Sequence, residues 1–158
     1  MKFARSRLVA TALLFTVALL VGASRLTVPD RAQSDADDVK ATMVAMWAAI
    51  EAGDVDRYAS YVHPDFTQFG ENDTYLAAGK ALEVRSIADY VKRASNVHTE
   101  MHDPRVTVRG TVAWVTYYWT DAGYSSGARV TSRGKSTRIF VKENGRWLCI
   151  HGHYTAVP

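Results

Sequence analysis

Five histidines, a few carboxylates and Arg138 are the residues of this 158-residue chain whose types and spacing suit chemistry. His98, Glu100 and His102 alternate, so on a strand all three project to one side, and His151 and His153 do the same. Two histidines and a carboxylate hold iron or zinc when they converge. Nothing in this spacing forces convergence, and histidines two apart on a strand serve equally as packing or interface residues, so no metal and no cofactor is expected. Glu71 or Asp65 with His63 would suit general acid–base chemistry of a cyclase-like, isomerase or hydrolytic kind, although each also reads as a loop or capping residue. No nucleophile elbow, phosphate-binding glycine loop or cysteine metal cluster occurs. Arg138 poses a sharper question. Its guanidinium cannot be neutralised, so burial on a strand demands an acceptor, either an anionic ligand or an internal carboxylate such as Asp65 or Glu51.

The elements that must position these groups begin after an export signal. Lys2, Arg5 and Arg7 precede an apolar run from Leu8 to Ala23 that ends in small residues, the pattern of a signal peptide over 1–23. The run is too short and too polar to favour a membrane anchor. This predicts a secreted or periplasmic protein, free of the membrane once cleaved. Residues 24–33, with Pro29, read as a linker, and 34–158 as one domain. The formal charge of +3 comes from the signal, since the remainder balances basic and acidic residues. No basic run interleaves with aromatics, so no nucleic-acid partner is expected. Cys149 is the single cysteine, so no intrachain disulfide forms, and between Leu148 and Ile150 it reads as a small buried hydrophobe.

A first helix is predicted from Ser34 as N-cap, with Asp35, Asp37 and Asp38 at the positive end of its dipole. Val39, Met43, Met46, Trp47 and Ile50 form its core stripe. Gly53 suits its C′ position, and Asp54 caps a short second helix that Pro64 ends at His63. Phe66 to Phe69 could form a strand, Gly70 to Lys80 a long loop, and Ser86 with Asp89 a capping box opening a third helix. From Val97 the pattern is strand. Val112 to Trp119 is apolar on both parities, so its outer face, carrying Trp114 and Tyr118, is expected to meet another subunit in a homodimer or larger assembly. The fold class is α+β: N-terminal helices packed in the concave face of a curved antiparallel sheet.

The stretches "STRIFVKENGRWLCIHGHYTAVP" and "VHTEMHDPRVTVRG", with the strand that ends in "DAG", resemble the association domain of calcium/calmodulin-dependent protein kinase II and its bacterial relatives. These belong to the nuclear transport factor 2-like, or SnoaL-like, superfamily, and the resemblance covers roughly Asp35 to Pro158. It implies a cone with a pocket between helices and sheet. It also implies a packing role beside the interface for His151-Gly152-His153, and no ketosteroid-isomerase catalysis, because Met46 and Phe69-Gly70 stand where that tyrosine and carboxylate base would be.

Which side chains reach the pocket depends on the Asn144-Gly145 turn. A two-residue type I′ turn places Arg138 with Phe140, His151 and His153. A three-residue turn with a glycine bulge places it with Ile150, Gly152 and Tyr154. The resemblance favours the bulged turn, because the association domain's arginines matching Arg138 and Tyr154 line one cavity. The expected ligand-binding set is then Trp47, Val115, Tyr117, Trp119, Arg138, Phe140, Ile150 and Tyr154, with Met43. The family's further arginines match Val115 and Tyr154 here, so a flat, mostly apolar small molecule with one acidic or polar group is expected.

Overall fold

The computed structural model describes residues 31–158. The expected signal over 1–23, and all but the last three residues of the linker, lie outside the described residues. Helix α1 runs Arg31–Glu51 and buries Val39, Met43, Met46, Ala49 and Ile50, the stripe that the helical period requires. It begins before Ser34 because Arg31, Ala32 and Gln33 are good helix formers, and Gln33 Nε2 donates to Asp37 Oδ1 at 3.1 Å. Ser34 is therefore not the cap, and the three aspartates lie beyond the first turn. Asp35 has a different role. It is 8 % exposed and its Oδ1 pairs with Lys142 Nζ, tying the helix to the sheet.

Gly53, at φ 67°, closes α1 in the left-handed region, and Asp54 Oδ1 accepts from Arg57 N at 3.0 Å to cap α2, Val55–Ala59. α2 stops before Pro64, which instead lies inside strand β1, Val62–Phe69, where the ladder to the neighbouring strand is interrupted and no N–H is needed. The 70–80 segment is irregular except for β2, Ala77–Ala78, which pairs with β1. α3, Lys80–Arg93, starts a turn and a half before Ser86 because Lys80 to Glu83 are strong helix formers following Gly79. That extension brings Glu83 into the interior.

Strands β3 (Ala94–Arg109), β4 (Val112–Ser125), β5 (Ala128–Glu143) and β6 (Arg146–Ala156) complete a six-stranded sheet in the order β2-β1-β6-β5-β4-β3. All neighbours are antiparallel except β1 and β6. Helices α1–α3 pack in its concave face, and the core forms where Val39, Met43 and Met46 meet Val115, Phe140 and Cys149. The fold is the expected α+β cone. Among the described residues no helix is long and apolar enough to cross a membrane.

The final hairpin corrects the expected turn. Asn144 and Gly145 both have positive φ, 49° and 77°, and Lys142 pairs with Trp147, which is the two-residue connection. The extra residue sits further along. Phe140 pairs with Cys149 but Ile139 pairs with His151, so Ile150 is a bulge. Beyond it Arg138 pairs with Gly152 and Ser136 with Tyr154. The bulge thus delivers Arg138 and Tyr154 to one face, as the glycine-bulged turn would have done.

Candidate functional site

Between the helices and the concave face lies a cavity of about 230 Å³. Met43, Met46, Trp47 and Ile50 of α1, Tyr58 of α2 and Ile87 and Tyr90 of α3 form one wall. Tyr117 and Trp119 of β4, Arg138 of β5 and Tyr154 of β6 form the other. Six of the expected residues, Met43, Trp47, Tyr117, Trp119, Arg138 and Tyr154, line it. Val115 and Phe140 do not, because both are fully buried in the core beneath it, and Ile150 does not, because as the bulge residue it leaves the alternation of its strand.

Two glycines make room for large side chains. A Cβ on Gly134 would collide with the Trp119 ring, and one on Gly152 would collide with Arg138 Nη1 and sit 3.0 Å from Gln68 Oε1. Arg138 is 7 % exposed, and its Nη1 donates to the neutral amide oxygen Gln68 Oε1 at 3.0 Å. Its Nε is without an acceptor, as are the Tyr117 hydroxyl and the Trp47 indole N–H. Neither Asp65 nor Glu51 is its partner. Asp65 is exposed, and Glu51 Oε1 accepts from Thr99 N at 2.7 Å and lies 3.4 Å from His98 Nδ1. Burial works against the guanidinium's charge, but the surrounding Tyr117, Cys149, Tyr58 and Glu83 more than offset it and raise its pKa.

Three polar residues outside the expected set, Glu83, Gln68 and Asp121, complete the site. Glu83, 6 % exposed, accepts from the Tyr58 hydroxyl at 2.5 Å. Burial first, and then the Glu83 charge, push the Tyr58 pKa well up. Gln68 lies two residues beyond Phe66 on β1, and Asp121 continues the inward alternation of Tyr117 and Trp119. Burial and the Glu51 charge raise the Asp121 pKa, with the Thr99 hydroxyl opposing. Each had a signal in the sequence: Glu83 stands four residues before Ile87, on the face that α3 buries, and the period of two reaches Gln68 and Asp121.

The other candidates lie elsewhere. His63 is buried outside the cavity, its Nε2 3.2 Å from Glu143 Oε1, while Glu71 is exposed, so these residues form no acid–base pair in the cavity. His102 Nε2 meets Thr120 Oγ1 at 2.9 Å and His151 Nδ1 meets Thr67 Oγ1 at 2.9 Å. Phe69 stands edge-on to both His151 and His153, and burial, then His153 and Arg138, lower the His151 pKa. Among the described residues no three of His, Cys, Asp and Glu form a group that could hold a metal. Burial also pushes the Cys149 thiol up to about 11, which keeps it inert.

A mixed sheet wrapped around three helices with a polar-based hollow between them is the architecture of the NTF2-like cone. An NTF2-like family protein from Streptomyces avermitilis, provisionally assigned as a dehydratase, superposes with a TM-score of 0.74 at 20% identity, covering 80% of this chain and 98% of its own. The association domain of the calcium/calmodulin-dependent kinase II of C. elegans superposes at 0.66 with 25% identity, covering 78% of this chain and 97% of that one. In sequence the chain is 26% identical over 131 residues to the type II kinase of Caenorhabditis briggsae, which matches 82% of this chain but only 24% of the kinase. Residues 39–158 match the SnoaL-like domain, and the chain belongs to that family.

Proposed function

We propose that this protein is an exported, self-associating binding module that holds a small, mostly apolar molecule in the cone, with one acidic group of the ligand reaching Arg138. The observation that carries the reading is the state of that arginine. A cation only 7 % exposed, with a neutral amide on Nη1, an Nε without an acceptor and no salt bridge to any described carboxylate, is poised for an acceptor from outside the chain. The unpartnered Tyr117 and Trp47 donors beside it add orienting hydrogen bonds. The volume suits one ring with a short polar tail, since a cavity of ~150 Å³ already admits benzene. Self-association is supported by the kinship with kinase association domains and by the outer sheet face, where Tyr118 is 59% and Trp114 36% exposed.

Substituting Arg138→Leu tests the reading. Calorimetric titration with an aromatic carboxylate such as 3-phenylpropionate should show binding to the parent protein and none to the variant, with the circular dichroism of both alike. A variant that unfolds would make Arg138 part of the scaffold instead. A second reading, a small-molecule enzyme using acid–base chemistry, is favoured by one observation: Asp121 lines the cavity and holds its proton more tightly than an ordinary aspartate.

A further inference from the structure

We infer that the ligand of the cone cavity is a zwitterion: a small amino-acid-like molecule whose carboxylate meets Arg138 while its ammonium group meets Glu83. The inference rests on the binding reading above and names the chemical class that this site selects.

The charges lining the cavity are Arg138, Glu83 and Asp121, one cation against two carboxylates. Glu83 is as deeply buried as Arg138, at 6 % against 7 % exposure, and the two form no salt bridge with each other. Tyr58 stands between their influences, donating to Glu83 Oε1 at 2.5 Å while Arg138 pulls its pKa in the opposite direction. The Tyr58 bond uses only Oε1 of Glu83 and leaves Oε2 outside it. A simple anion would therefore neutralise Arg138 and leave Glu83 as an uncompensated charge in a low-dielectric site, the situation that is most costly for a buried ion. A ligand bringing both signs satisfies both groups at once. An ammonium offers three donors for Glu83 Oε2 and its surroundings, and Arg138 retains a fork of N–H groups suited to a carboxylate. Trp47, Tyr117 and Trp119 supply a flat apolar wall for the body of the ligand and faces that favour a nearby cation.

The test is calorimetric titration of the full chain with L-phenylalanine, 3-phenylpropionate and 2-phenylethylamine, which share a ring and differ in charge. L-Phenylalanine should bind about tenfold or more tightly than either single-charge analogue, the worth of one charged hydrogen bond. In Glu83→Gln, which keeps an acceptor for Tyr58, that advantage over 3-phenylpropionate should vanish. Equal affinity of the parent protein for phenylalanine and 3-phenylpropionate would overturn the zwitterion inference and leave the Arg138 reading standing. Absence of binding by all three would overturn both. The ligand series on the parent protein decides the matter even if Glu83→Gln fails to fold.

Discussion

Gly152 lies directly beneath the guanidinium of Arg138, so close that any side chain at 152 would occupy the space of Nη1. The glycine is there for room rather than for backbone freedom, since its φ is not positive. Replacing Gly152→Ala should push Arg138 off Gln68 and cost about 1–3 kcal/mol, the usual range for overpacking a filled site. Urea denaturation measures it. An unchanged midpoint would mean that the arginine swings aside freely and that its pose is not fixed by the sheet.

Lys142 and Asp35 form the second structural pair, joining β5 to the start of α1 beside the Trp147 ring, whose centroid is 5.5 Å from Lys142 Nζ. Lys142→Met removes the cation and leaves a carboxylate that is largely buried. A loss of about 1–3 kcal/mol is expected. Adding Asp35→Leu should recover most of it, because removing both partners with apolar groups abolishes the desolvation penalty. A double variant as unstable as the single one would locate the loss in the packing on Trp147 instead.

Asp121 gives a pH dependence of defined sign. Its folded pKa is raised by burial and by Glu51, so the folded state binds the proton more tightly than the unfolded chain does. Its charge therefore costs stability as pH climbs from the ordinary aspartate value of ~3.9 through the folded value, and costs nothing below both. Asp121→Asn should raise Tm near neutral pH and leave it little changed at about pH 3. Equal shifts at both values would rule out titration of Asp121 as the cause.

Much of this arrangement was legible in the chain. Val39, Met43, Met46 and Ile50 announce α1 through their period, and the alternation in 112–119 separates Tyr117 and Trp119 from Trp114 and Tyr118. The Asn144-Gly145 pair announces the hairpin. What local pattern does not encode is the bulge at Ile150, because a one-residue insertion in the ladder is set by how β6 also pairs with β1, a contact distant in sequence. Glu83 was hidden for a related reason. The Ser86 capping signature competes with the helix-forming run before it, and the run prevails once α3 can pack Glu83 against Tyr58.

Trp114 stands on the outer face of β4, level with Ile139 on β5 and in the same row as Tyr118, and both aromatics remain exposed in the single chain. A row of large apolar side chains on the open face of a sheet is a surface that another subunit can cover. Trp114→Glu puts a charge in the middle of it without touching the cavity, whose lining comes from the opposite face. The variant should elute as a monomer in size-exclusion chromatography where the parent protein elutes as a dimer or larger, and its ligand affinity should be unchanged. A variant that elutes with the parent would show that assembly uses a different surface.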